Sequence, residues 1–372
     1  MTLYTNSSSR NTANARDRAP RGKRYLFSRI ALTPLGQSVT PVTMKRPISR
    51  RSFVKASLLA SAAVPIALKR PMSSRAEETS AEPAPSQKEP IAKGWIADQQ
   101  FTRLMMGGNL ISGYAHSRDL PYVSTLMRRY NSPSKIRETL ELGESNGITA
   151  INTWVQDDNT AIFEHWKNGG KMKWISQTRL DAGGGFSQIQ KAIDQGAVGV
   201  HLTGDACEGL VRRGEYEKVA ESVRFIKSQK RIAGVGAHDL AVIIECEKQK
   251  LDVDFYQKTM HSHEYYTAPR PEEKDAVGPH DNSWCSDPQA VIDVMAKVKK
   301  PFIAFKILAA GAIQPRAAFP WAFNNGADFI LVGMFDWQIE ENTKLAKRVL
   351  GVVMGPNSKR TRAWYGTAPQ AA

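Results

Sequence analysis

The 372-residue chain carries 51 Lys and Arg against 36 Asp and Glu, a formal net charge of +15 at pH 7, and is 41% hydrophobic. That composition suits a globular protein with a sizeable core and excludes a wholly disordered chain. The basicity is local: Met1–Ala76 holds 15 basic residues and 1 acidic one, leaving 36 and 35 for the rest, a net of +1. A body so balanced has no excess to displace counterions from a phosphate backbone, so no nucleic-acid partner is expected.

Residues 1–43 are rich in Ser, Thr, Asn and Arg and lack apolar periodicity. They are expected to be a disordered leader, or a start placed upstream of a true initiator at Met44. The stretch "MKRPISRRSFVKASLLASAAVPIAL" follows, within an expected signal segment over 44–76. Its apolar run Ala56–Leu68 has 13 residues, whereas a membrane-spanning helix needs about 20. A basic patch, a short apolar run and the small residues around Ser74-Arg75-Ala76 read as an export signal, not a stable membrane span. Residues 77–94, including the Pro/Glu/Ser/Ala run Glu77–Pro90, read as a linker. The folded body is expected over 95–355, with a tail over 356–372.

Inside the body, short apolar runs alternate with helical segments. Strands are predicted at Arg103–Asn109, Ala150–Trp154, Lys173–Gln177, Val198–Leu202, Ala233–His238, Asp254–Thr259, Phe302–Ile307 and Asp328–Met334. The intervening helices carry their own punctuation. Ser132 and Pro133 open one that places Ile136 and Leu140 on one face and stops at Gly147. Asp287 and Pro288 open another that ends before Pro301, and a third ends at Gly326. Eight βα units over about 260 residues point to an α/β fold of the (βα)₈ TIM-barrel type. An open doubly wound sheet would want G-x-G-x-x-G after its first strand, and "LMMGGNLISG" lacks that spacing.

Barrel active sites sit at the C-terminal strand ends. Read in order, those exits offer Asn109, then a loop with His116, Arg118 and Asp119. Asn152, Gln177, His201 with Asp205, and His238-Asp239 come next. Lys258, His261, His263 and Glu264 follow, then a long loop with His280 and Asp281, then Lys306 and Asp336. Six of the 7 histidines fall on this rim, His165 being the exception; such clustering marks a functional face. Tyr122, Tyr265, Tyr266 and Trp284 on the long loops would wall a pocket.

Lys258 in "FYQKT" and Lys306 in "IAFKI" stand among apolar residues, where Lys is rare unless paired. Two such ammonium groups would depress each other and supply a base or a Schiff-base nucleophile. Pairing with a carboxylate such as Asp254 or Asp336 is the plainer alternative. His238 and His261 are the acid/base candidates. Asn109, His116, Asn152, Gln177, His201 and Asp336 are candidate substrate contacts. The same rim could hold a divalent metal, with His201, His238 and His261 as nitrogen ligands for a zinc-like ion and His263 beside them. The three cysteines, Cys207, Cys246 and Cys285, form no C-x-x-C and no disulfide framework, and read as buried hydrophobes.

Several stretches resemble known families. Ser49–Lys55, "SRRSFVK", is similar to the twin-arginine signal. That resemblance implies twin-arginine export machinery as a partner, a periplasmic or extracellular location, and a barrel that crosses the membrane already folded. Lys258-Thr259 with "FKILAAGAI" resembles class I aldolases of the deoxyribose-phosphate aldolase type. "VGMFDWQIEENTKLAKRVL", "KPFIAFKILAAGAI" and "ETLELGESNGITAINT" are similar to the aldo-keto reductase barrel. That likeness implies an NADP site at Gly333, Glu341 and Asn342. The family's catalytic Asp, Tyr and Lys fall on Asn152, on Asp157 and near Gln177, and a His falls on His201, so its tetrad is not intact here. The reading favoured is an exported barrel enzyme on a small sugar- or carbonyl-type compound, by lyase or isomerase chemistry. A metal-dependent hydrolase or isomerase, an NADP oxidoreductase and a non-catalytic ligand-binding barrel stand as alternatives.

Overall fold

A computed structural model describes residues 90–117, 120–156, 159–268 and 285–366, all within the compact unit Glu78–Ala372. The expected leader and signal lie outside the described residues.

The chain first forms a hairpin of β1 (Lys93–Ile96) and β2 (Gln99–Thr102), paired antiparallel. Eight parallel strands then close a barrel in chain order. They are β3 (Leu104–Gly107), β4 (Ala150–Trp154), β5 (Lys173–Thr178), β6 (Gly199–Leu202), β7 (Ile232–Ala237), β8 (Phe255–Thr259), β9 (Phe302–Phe305) and β10 (Phe329–Gly333). The fold is the (βα)₈ barrel that the sequence implies. Two strands stop early: β3 ends at Gly107 and β9 at Phe305, so Asn109 and Lys306 belong to the loops beyond. At Lys306 the cause is visible, because its φ of +56° breaks the extended run.

The outer layer comprises α1 (Tyr122–Tyr130), α2 (Pro133–Ser145), α3 (Thr160–Lys167), α4 (Ser187–Asp194), α5 (Gly204–Arg212), α6 (Tyr216–Ser228), α7 (Leu240–Lys248), α8 (Pro288–Met295), α9 (Pro315–Asn324) and α10 (Asp336–Val353). Ser132 caps α2 by accepting from the Lys135 amide, and Asp287 caps α8 from the Ala290 amide. Each side-chain oxygen satisfies one of the amides that a helix start leaves unpaired.

Strand alternation divides the barrel's side chains into two sets. Met105, Ala150, Ile175, Phe255, Ile303 and Phe329 fill the lumen with their neighbours, while Met106, Ile151, Val235, Tyr256, Phe302 and Ala304 meet the helices. Ile96 and Phe101 of the hairpin are fully buried in the lumen cluster, so the hairpin plugs the N-terminal end of the barrel. Below that plug the segment after α10 folds back. Arg360 and Arg362 reach the buried Asp328 at 2.9 and 2.6 Å. Arg362 also donates to the carbonyls of Met295, Val298, Lys300 and Gly326. Trp364 lies under the guanidinium groups of Arg103 and Arg360, and the Trp95 amide donates to Gly366 O at 2.7 Å. No helix among the described residues is long and apolar enough to cross a membrane.

Candidate functional site

The open end of the barrel is polar, and its polar groups are arranged in two assemblies. The first is a ladder across β5, β4 and β6. Gln177 Nε2 donates to Asn152 Oδ1 at 2.7 Å, and Asn152 Nδ2 lies 3.1 Å from His201 Nε2. His201 Nδ1 lies 2.9 Å from Leu202 O. The consistent assignment has Nδ1–H donating to that carbonyl and Nε2 accepting from Asn152. Burial pushes the His201 imidazole down to about 4, so it is neutral at pH 7. Nearby, the buried Gln257 Oε1 has no protein partner among the described residues. Buried polar groups are normally satisfied, so this atom asks for a water or a ligand.

The second assembly surrounds His238, just beyond β7. Glu208 of α5 is almost fully buried and accepts from the His238 and Asp239 amides at 2.5 and 2.9 Å. The same carboxylate oxygen lies 3.2 Å from His238 Nδ1. Burial alone would raise the Glu208 carboxyl, but the side chain and amide of His238 and the Asp239 amide outweigh it and hold it at about 2. For His238, burial pushes the imidazole down, Glu208 opposes that, and the charges of Lys306 and Lys258 add to the lowering. Nothing in the strand-exit pattern pointed to Glu208. The available signal was its place on a helix face shared with the buried Gly204 and Cys207.

The two lysines differ. Lys306 follows β9 at the mouth, half-buried, with Nζ 2.9 Å from His116 Nε2. His116, like Lys306, has a positive φ. Lys258 is fully buried and pairs in register with Ala237 and Ala304, on the strand face that meets the helices. Its Nζ donates to Thr259 O and Thr259 Oγ1 at 2.9 and 2.8 Å. Burial lowers its ammonium, and the charges of Cys285, Glu208 and Asp239 oppose this. The lowering expected from a neighbouring lysine is thus traced to desolvation instead.

His261 is fully buried, with Nδ1 3.0 Å from Ser262 O and Nε2 accepting from the Cys285 amide at 3.2 Å. His263 Nε2 lies 2.5 Å from Cys285 O. The two imidazoles thus bracket the backbone of Cys285, one at its amide and one at its carbonyl, and pin the β8 exit to the start of α8. Burial pushes His261 to about 4. As a zinc-like set, His201, His238 and His261 do not fit, because both ring nitrogens of His201 and of His261 already have partners in the fold. Among the described residues no group of three or more His, Cys, Asp or Glu is placed to hold a metal ion.

The remaining candidates scatter. Asn109 lies half-buried in the turn after β3. Asp336 accepts from Tyr130 Oη at 2.6 Å and pairs with Lys135 at 3.2 Å, tying α10 to α1 and α2. Burial would raise its carboxyl, but those two partners bring it below the usual range. Gly333 ends β10. Glu341 is exposed and paired with Arg316, whereas Asn342 is buried in the core-facing side of α10. Adjacent helix positions diverge by about 100°, so the two side chains leave α10 in different directions. Arg118, Asp119, Asp157, His280, Asp281 and Trp284 lie outside the described residues.

No protein-family model matches the chain, and no curated protein matches it. Among solved structures it is similar to Gox0644 in its apo form, with 10% identity over 76% of this chain and 99% of that one, at a TM-score of 0.47. It is also similar to an aldo/keto reductase from Brucella melitensis, with 11% identity over 68% and 92% of the two chains and a TM-score of 0.42. An N-acetylneuraminic acid synthetase from Leptospira borgpetersenii shows 8% identity over 72% and 92%, with a TM-score of 0.40. Likenesses this distant bear on no residue of the site.

The Glu208–His238 pair carries a prediction of its own. The Glu208 charge raises the His238 pKa, so Glu208→Gln is expected to lower it while keeping an acceptor for the two amides. A proton-NMR titration of the His238 ring should show its midpoint move down. An unmoved midpoint would rule out the carboxylate as the partner of that ring.

Proposed function

We propose that this chain is an exported (βα)₈-barrel enzyme that uses Lys306 as an amine nucleophile on a small sugar- or carbonyl-type compound. The supporting observation is the meeting of Lys306 Nζ and His116 Nε2 at 2.9 Å at the barrel mouth, within electrostatic reach of His238 and His261. A proton passing from the Lys306 ammonium to His116 leaves a neutral amine. That amine adds to the substrate carbonyl carbon, water leaves, and the resulting iminium draws electrons from the adjacent carbon. A neutral His238, oriented by Glu208, is suited to remove a proton there. The Gln177–Asn152–His201 ladder and Gln257 are suited to bind hydroxyl groups. Lys258, bonded to Thr259 and facing the helices, is read as a supporting group and not as the nucleophile. Lyase and isomerase steps both run through such an iminium. Export rests on the twin-arginine-like Ser49–Lys55.

Borohydride trapping tests the reading. Incubation with glycolaldehyde, pyruvate or dihydroxyacetone and borohydride should give one adduct, mapped by mass spectrometry to the peptide holding Lys306. Lys306→Met should lose it, and Lys258→Met should keep it. No adduct with any of the three, or an adduct that survives Lys306→Met, would overturn the assignment.

A further inference from the structure

Beside the mouth, the loop after β3, the exit of β4 and helix α4 border a separate, open hollow of about 530 Å³. Its walls include Trp154, Tyr114, Ser112, Gln156, Gln188 and Lys191. Its volume falls in the range of small-molecule sites, about 300–1,000 Å³.

The walls have a particular chemistry. Trp154 ends β4 in register with Gln177, two residues beyond Asn152 on the same strand face. Trp154 therefore stands one step further along the strand face that carries the ladder. The guanidinium of Arg179 lies over the Trp154 ring at 5.2 Å and pairs with Asp205, which fixes the plane of the indole. Tyr114 adds a second, largely exposed ring. Around these rings the amides are only partly used. Gln156 Nε2 donates to Ser112 Oγ at 3.2 Å, and Gln188 Oε1 accepts from the Arg179 amide at 3.1 Å. Gln156 Oε1 and Gln188 Nε2 have no protein partner among the described residues, so an acceptor and a donor remain at the wall. Aromatic faces bordered by both kinds of group suit a ring with an apolar C–H face and hydroxyls around its edge.

We infer that this cavity is a subsite for a pyranose-type sugar ring, stacked on Trp154 and hydrogen-bonded by Gln156 and Gln188. The inference rests on the sugar-type reading of the barrel and specifies how the substrate, or the sugar attached to it, is held.

The test is binding by the full exported chain, read by saturation-transfer NMR and tryptophan fluorescence. The probes are D-glucose, D-galactose, D-xylose and, as a flat aromatic control, adenosine. At least one sugar is expected to bind saturably. Trp154→Ala should weaken it tenfold or more, whereas Trp154→Phe should stay within threefold. Arg316→Ala, at the exposed pair with Glu341, should leave this binding unchanged. Failure of the borohydride experiment leaves the subsite standing, and failure of the subsite leaves the nucleophile standing. No sugar binding, binding unaffected by Trp154→Ala, or binding of adenosine alone would overturn the inference.

Discussion

Lowering the pH from 7 to 4 is expected to remove a large part of the barrel's stability, with the loss beginning near pH 6.5, above the range in which ordinary carboxylates protonate. The cause is the pair of buried imidazoles, His201 and His261, each held down to about 4 against an ordinary 6.5. Because the unfolded chain binds these protons first, stability falls as pH drops through 6.5 and stops falling from this source near 4. Each group is worth roughly 3 kcal/mol over that window. Together they approach the whole stability of an ordinary domain, about 5–15 kcal/mol. Urea unfolding at pH 7, 6, 5 and 4 should show at least two extra protons taken up on unfolding near pH 5, with the lowered His238 adding to His201 and His261. His201→Gln, which keeps a neutral group near Asn152, should remove about one of them. A stability that stays level from pH 7 to 4.5 would refute the account. Glu208, held at about 2, adds a separate loss below its ordinary range near 4.5.

Arg362→Ala is expected to be the most destabilising single change at neutral pH. Arg362 bonds Asp328 and four carbonyls from beneath the barrel. Its loss leaves the Val298 and Lys300 carbonyls without this donor, while Gly326 O keeps Arg360 and Met295 O keeps the Val298 amide, and it strips the buried carboxylate of one of its two ion-pair partners. Removing one member of a buried pair costs about 3–5 kcal/mol, or roughly 10 °C in Tm for a domain of this size. Thermal unfolding measures it directly. Replacing the exposed Arg316, which pairs with the exposed Glu341, should change Tm by no more than about a degree. Equal effects for the two arginines would mean that the clamp adds nothing.

The barrel was legible because buried parallel strands read as unbroken apolar runs and their helices carry strong caps. The hairpin was not, since "KGWI" and "QQFT" are four-residue strands with only alternate positions buried. Lys258 and Lys306 looked equivalent because both faces of a barrel strand are apolar, so the sequence does not say which way a side chain turns. Their separation depends on register, which alternation alone leaves open. His261 reads as a catalytic candidate until its partner, the Cys285 amide 24 residues away, is placed beside it. Asp336 likewise finds Tyr130 and Lys135 across some 200 residues of chain. Glu208 was missed because an acidic residue in a helix ordinarily faces solvent.

The hydrogen bond from Trp95 to Gly366 brings the two ends of the described fold together beneath the plug. A short loop joining residue 366 to residue 93 would therefore close the chain into a ring with little added strain. New ends could then be opened in an exposed turn between helices, such as the one at Gly214 between α5 and α6. The same geometry favours immobilisation: a tether attached near residue 93 or residue 366 holds the barrel from below and leaves its mouth turned toward the solution.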